Sequence, residues 1–535
     1  MPSLIRYIAA SLAICAGLVS FPAAAAVSLP NVISNHMVLQ RDIAVPIWGT
    51  ADPNEKVTVT FRDQKKTATA DAQGKWMVKL DPLKLGDPAT LTVSGSNTIT
   101  LADVLVGDVW IGSGQSNIDS PVQMYAAQDP ALKEAASASS PRLRLCRNNG
   151  WQETKPDVVS RFSAQLFYFG MLLQKELGVP VGVIECAKGG MASGVFISQE
   201  GFKADPDVQT MLAKWDQWHP FEAEQKSYEV ALEEWKTDIA TATANAPSDA
   251  SNSTNNQPAL SSTNSVDKAI LAKFPRPKPP VRAADIQTGG QFEILVRPII
   301  PYAIRGVLWD QGESYSGIPN GVGQSLLMPA LIRSWRKDWG QGDFPWIFVQ
   351  KQNGGGCALN PSDPVNLGAK PFEPLPKDPP AVGYQFVEGF GPTCPPNTFL
   401  AITSDLVPGV HPINKSGYAT RDSIVALGAV YGKPVEYYGP VFQSFKVEGD
   451  KIRISYTHLG KGLTVPANQK LQGFAIAGED KKFHWADAVI DGATVVLSSP
   501  DVGAPVAARY WPAAWANLFN LDGLPALGFQ TDSRK

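Results

Sequence analysis

The chain is poor in histidine, poor in cysteine and almost without net charge. Five histidines in 535 residues leave a short list of side chains able to exchange a proton near neutral pH, so a histidine base can be sought by elimination. Lys and Arg number 47 against 50 Asp and Glu, a formal net charge of −3. No basic block exceeds a few residues, so neither nucleic acid nor an anionic membrane is indicated as partner. Beyond the N-terminal stretch no apolar run reaches spanning length, which argues against stable membrane insertion. The remaining composition, 44% hydrophobic and 18% charged, places the chain among folded globular proteins, with length for roughly two to four domains.

Arg6 precedes the apolar run Tyr7 to Val19, too short to cross a bilayer, and Pro22-Ala23-Ala24-Ala25-Ala26 follows with small-residue cleavage sites. Residues 1–25 read as a secretory signal peptide, implying a periplasmic or secreted mature chain. Cys15 leaves with it. Cys146, Cys186, Cys357 and Cys394 remain, enough for two disulfides in three connectivities. Cys357 and Cys394 bracket one Gly- and Pro-rich segment and are the best pair. Cys186 lies in an apolar strand and reads as a free buried thiol.

Residues 26–104 alternate with period two (Val57, Val59, Phe61; Trp76, Val78, Leu80; Leu91, Val93; Ile99, Leu101), as in a small antiparallel β-sandwich. From 105 to 434 strands alternate with helices. Val104 to Ile111 is followed by a helix through Phe162, Leu166, Phe169, Leu173 and Leu177, then by Val181–Cys186; further strands are Gly306–Trp309, Trp346–Gln350 and Phe399–Thr403, with helices near 326–339 and 415–431. This order predicts an α/β fold with a doubly wound, mostly parallel sheet whose loops after the strands share one rim. Residues 204–295 form an excursion from it, with a solvated helix at 221–243 and a mobile Ser/Asn-rich middle at 244–266. A second antiparallel β region closes the chain over 435–535, where Phe445, Val447, Ile452, Ile454, Phe474 and Ile476 restore period two.

The first strand of the sheet runs into Gly112-Ser113-Gly114-Gln115-Ser116-Asn117, which presents the Ser116 hydroxyl at the carboxyl end of a buried strand. Serine needs a base to remove its proton, donors for the oxyanion, and usually a group that holds the base. His36 and His484 lie in the β regions, His219 in the excursion and His458 in a C-terminal strand; His411 alone follows a sheet strand on the same rim as Ser116. Two more rim loops can supply donors. Lys188-Gly189-Gly190-Met191 offers unhindered backbone N–H groups, and Asp310-Gln311-Gly312-Glu313-Ser314 offers an amide and a carboxylate. Trp110, Trp309, Trp511 and Trp515 are candidates for stacking on sugar rings, although core packing is the better reading of Trp110 and Trp309.

Gly107-Asp-Val-Trp-Ile-Gly-Ser-Gly-Gln-Ser-Asn117, Gly306-Val-Leu-Trp-Asp-Gln-Gly-Glu-Ser314 and His411-Pro-Ile-Asn-Lys415 resemble three signature blocks of the sialate O-acetylesterase family, within the SGNH hydrolases. Met37–Arg41, Asp71–Trp76, Gly473–Asp480, Phe483–Ala486 and Asn517–Asn520 are similar to recurrent segments of the same family, so the resemblance covers nearly the whole mature chain. It implies hydrolysis of acetyl esters on carbohydrates without metal or cofactor. It also implies Ser116 as nucleophile, His411 as general base, Gly190 or Gly189 as backbone oxyanion donor, Gln311 as side-chain donor, and Glu313 as a group orienting Gln311 or the Ser116 loop.

The chain departs from the family pattern where an Asp usually stands two residues before the His: here the string is Pro408-Gly409-Val410-His411. Either His411 works in a dyad, oriented by a backbone carbonyl, or an acid arrives from elsewhere, Asp405 and Glu313 being nearest in the rim arrangement. Ile118, Tyr315 and Arg297 also replace usual residues. Two functions follow as alternatives: an exported carbohydrate O-acetylesterase, acting on polysaccharide fragments or sialic acid, and a catalytically reduced carbohydrate-binding protein on the same scaffold.

Overall fold

The computed structural model describes residues 26–147, 150–244, 270–311, 315–350, 358–380, 394–407, 409–511 and 513–532. The 1–25 leader, nearly all of the Ser/Asn-rich middle, Glu313 and Cys357 fall outside these residues. So therefore does the Cys357–Cys394 pairing; Cys394, Cys146 and Cys186 are free thiols, the last as expected.

The element that organises the molecule is a 17-residue strand, β1 (Thr98–Gly114). Its first half pairs antiparallel with Ala89–Ser94, with a register shift between Leu101 and Val104, and its second half pairs parallel with two later strands. Around β1 lie β2 (Ser140–Arg147), β3 (Gly150–Thr154), β4 (Val181–Ala187), β5 (Gly306–Asp310), β6 (Trp346–Val349) and β7 (Thr398–Ala401). Their spatial order is β7-β6-β5-β1-β4-β2-β3. All neighbours are parallel except the β2–β3 edge pair. The chain fills one side of β1, with β4 inserted last between β1 and β2, and then builds outward on the other side; the loops that diverge at that switch leave a crevice at the strands' carboxyl ends.

Apolar runs in these strands cover both faces, as parallel sheets require. Trp110, Val183, Leu308 and Ile347 point into one core, against helices α2 (Ala164–Leu177) and α4 (Lys415–Val425); Ile111, Ile184, Trp309 and Trp346 point into the other, against α3 (Gln324–Trp339). Ser163 caps α2 through its side chain, and Gly178 ends it in the left-handed conformation. Among the described residues no helix is long and apolar enough to cross a membrane.

Apart from Val38–Gln40, which pairs parallel with β1, the N-terminal and C-terminal strands are antiparallel, and Val57, Val59, Phe61, Ile452, Ile454, Phe474 and Ile476 are buried. Phe445 and Val447 are exposed instead. Their strand, Val441–Glu448, is the edge of a four-stranded sheet, so the period is right while the apolar side chains face outward. Trp110 and Trp309 are core residues. Trp511 is buried too, packed with Trp515 against Trp485, which removes Trp511 as a platform for sugar.

Candidate active site

The turn after β1 is made by Gly114, whose φ is +125°. A Cβ there would lie 2.2 Å from the Asp310 carbonyl oxygen, a contact no other residue tolerates. That close approach lets the Gln115 N–H donate to the same carbonyl at 3.1 Å. The chain then turns directly into the short helix α1 (Ser116–Asp119), with Ser116 first and half-buried at the crevice.

His411 arrives from the loop between β7 and α4. Its Nε2 lies 2.7 Å from Ser116 Oγ, although the two residues are 295 apart in sequence. The loop is held from below. Asn117, adjacent to Ser116, donates from Nδ2 to the Val410 carbonyl at 3.1 Å and accepts from Lys415 Nζ at 2.6 Å. Lys415 is fully buried, with its ammonium 4.9 Å from the centre of the Tyr125 ring. Asn414 caps α4 by accepting from the Gly417 N–H, and Asp129 accepts from both the N–H and the hydroxyl of Ser416, each at 2.8 Å. The first turn of α4 is thereby fixed against the helix that follows Asp129.

Asp405 does not serve His411. Arg421 donates to both of its carboxylate oxygens at 2.9 Å, and the two side chains are only 3% and 5% exposed. Six residues separate Asp405 from His411, but a guanidinium from α4 captures the carboxylate first. Among the described residues no hydrogen bond reaches His411 Nδ1.

The turn after β4 lies beside Ser116. The Gly189 N–H is already taken, donating to Asp119 Oδ2 at 2.9 Å, which removes it as an oxyanion donor. Gly190, with φ of +73° and open space where a Cβ would stand, is the exposed residue of the pair. Gln311 is buried at the end of β5. Its Oε1 accepts from Ser193 Oγ at 2.9 Å and from Gln324 Nε2 at 3.1 Å, while its Nε2 donates to the Tyr315 carbonyl at 3.1 Å, with the Met191 carbonyl at a weak 3.5 Å. In this arrangement the amide binds the 191–193 turn to the 315 loop. Ile118 is fully buried, Tyr315 is exposed, and Arg297 pairs with Glu293 on the surface.

Behind Gly189 stands a charged cluster that the motif reading missed. Arg147 Nη2 lies 2.7 Å from Asp119 Oδ1 and 2.7 Å from Glu185 Oε1. Burial pushes the Glu185 carboxyl up to about 8; the Asp119 charge adds to the effect and Arg147 opposes it. Asp119 and Lys415 adjoin or belong to quoted motifs. Arg147 and Glu185 sit in strands, with no local signal that marks them.

A serine hydroxyl on a histidine nitrogen, at the switch point of a parallel sheet, is an arrangement for acyl transfer. No family model matches the chain. The mouse protein named sialate O-acetylesterase is 24% identical over 538 residues, covering 90% of this chain and 89% of its own. The human sialate O-acetylesterase is 24% identical over 94% of this chain and 92% of its own length. The crystal structure of a carbohydrate acetylesterase from Xanthomonas citri superposes with a TM-score of 0.69 at 26% identity, covering 95% of this chain and all of the other. The chain is similar to the sialate O-acetylesterases over nearly its whole length. The family likeness extends through the β regions on both sides of the α/β sheet, since each relative is matched over nine-tenths or so of its length.

Proposed function

We propose that this protein is an exported carbohydrate O-acetylesterase working through an acetyl-Ser116 intermediate. The 2.7 Å contact between His411 Nε2 and Ser116 Oγ carries the reading. His411 takes the Ser116 proton as Oγ attacks the acetyl carbonyl. The Gly190 N–H faces the oxyanion, and His411 then protonates the departing sugar hydroxyl. Water, deprotonated by His411, repeats the attack on the acetyl-enzyme and releases acetate. Gln311 can act as a second donor by exchanging either its weak contact with the Met191 carbonyl or its bond to the Tyr315 carbonyl for the oxyanion. The substrate is an O-acetylated polysaccharide or oligosaccharide fragment, or sialic acid. The Ala-rich end of the leader supports export to the periplasm or beyond, and the scaffold is read as an SGNH-type domain flanked by antiparallel β-sandwiches.

Acetate release from acetylated xylo-oligosaccharides and from O-acetylated sialic acid tests this. Wild type is expected to release acetate, with Ser116→Ala and His411→Ala falling by about 10³ or more, and Gln311→Ala by about 10² if it donates to the oxyanion. The second reading, a carbohydrate-binding protein of reduced activity, is motivated by the string Pro408-Gly409-Val410 before His411, which has no carboxylate. It replaces the first if wild type and Ser116→Ala release acetate equally slowly and both bind the sugar.

A further inference from the structure

The Arg147, Asp119 and Glu185 cluster has no part in the steps above, yet it touches the oxyanion turn. Glu185 pairs in register with Gly112 of β1, on the opposite face of β4 from Cys186. Three elements face its carboxyl: β2 through Arg147, α1 through Asp119, and the start of α2, where the Ser163 N–H donates to Oε2 at 3.3 Å. The Asp119 and Glu185 carboxyls meet at one Arg147 nitrogen, each 2.7 Å from it. Two carboxylates sharing one nitrogen repel each other unless one keeps its proton, and burial makes that one Glu185. Asp119 then has Arg147 on Oδ1, Glu185 beside it, and the Gly189 N–H on Oδ2. Its orientation is thus fixed from one side by the cluster, and on the other it fixes the Lys188–Gly189 peptide, one peptide before the one that carries the Gly190 N–H.

We infer that Asp119, held by Arg147 and a protonated Glu185, is the positioning residue that sets the Gly189-Gly190 turn for oxyanion binding, and that losing the Glu185 proton releases this turn. The inference rests on the esterase reading and adds to it an alkaline switch. The charge balance supports it. With the proton in place, one guanidinium faces one carboxylate. Without it, the buried Glu185 carboxylate and the partly exposed Asp119 carboxylate compete for a single Nη2 and repel each other. The release midpoint falls where burial has pushed Glu185, at about pH 8.

The test is kcat and KM against pH from 6 to 10 for p-nitrophenyl acetate, with the uncatalysed rate subtracted, in wild type, Glu185→Gln and Asp119→Ala. Glycine-selective ¹⁵N spectra of the full chain accompany it. Glutamine keeps a donor toward Asp119 but cannot ionise. Wild type should lose kcat above pH 8 by about tenfold with KM little changed, since the lost interaction belongs to the transition state. The Gly189 amide should move with the same midpoint. In Glu185→Gln the ratio of kcat at pH 9 to that at pH 7 should rise about tenfold over wild type, and the amide should stop titrating. Asp119→Ala should lose kcat at every pH. If Glu185→Gln keeps the wild-type alkaline limb, or if the Gly189 amide ignores pH, the inference is overturned. Failure of the esterase reading shows separately, as a Ser116→Ala rate equal to wild type, and withdraws the catalytic role even where Gly189 titrates.

Discussion

Replacing Asn117 by alanine tests what holds His411 where no carboxylate precedes it. Asn117 bonds the Val410 carbonyl on one side and the buried Lys415 ammonium on the other. A neutral hydrogen bond contributes about 0.5–1.5 kcal/mol and one to a charged group about 1.5–3, so Asn117→Ala should lose about 2–4 kcal/mol of stability. The Lys415 part dominates because that ammonium is sealed from water. The Val410 part is the one that acts on His411: about 0.5–1.5 kcal/mol of lost alignment corresponds to a roughly two- to tenfold fall in kcat, with KM nearly unchanged. Asn117→Asp separates the two. It keeps an acceptor for Lys415 and removes the donor to Val410, so stability should recover while kcat stays low. Urea unfolding with the slope held common and steady-state acetate release measure both. An Asn117→Ala protein that unfolds at the wild-type urea concentration with wild-type kcat would refute the reasoning.

Asp405→Asn should cost about 3–5 kcal/mol, because it leaves Arg421 buried beside a neutral partner, yet the folded protein should keep kcat within about fivefold; a fall of about 10⁴ would make Asp405 the acid of a triad after all. Gly114→Ala places a methyl against the Asp310 carbonyl at a left-handed φ and should lower stability by more than about 2 kcal/mol, read as a depressed Tm; an unchanged Tm contradicts the tight turn. Glu185 is raised from 4.5 to about 8, so the folded chain holds a proton that the unfolded chain releases, and its contribution is full below pH 4.5 and lost as pH rises to 8. The stability of Glu185→Gln relative to wild type should therefore grow with pH across that window by up to about 1.4 kcal/mol per unit and level off above it; parallel unfolding midpoints from pH 5 to 8 would show that Glu185 does not hold that proton.

The Ser116 turn was legible because its signals are local: an apolar strand, two glycines and a serine specify a buried strand end and a hydroxyl at the crevice. His411 was legible by scarcity, since the other four histidines sit in other regions of the chain. Asp405 misled because nearness in sequence says which rim a residue occupies and not which way its side chain turns. Arg421, 16 residues on, settles that. Gly189 and Gly190 are indistinguishable as letters, and only Asp119, 70 residues earlier, separates the occupied N–H from the exposed one. Phe445 and Val447 fit a strand equally well facing in or out, and their place on a sheet edge turned them outward.

By itself, then, the sequence determined the α/β order of elements, the Ser116 turn and which histidine meets it. These follow from backbone geometry and short-range pattern, which hold wherever the segment ends up. The tertiary structure alone decided which polar groups meet: Asn117 with Lys415, Arg421 with Asp405, and Arg147 with Asp119 and Glu185. Such partners join segments up to 298 residues apart, and a buried charge takes whichever partner the packing of distant strands and helices delivers.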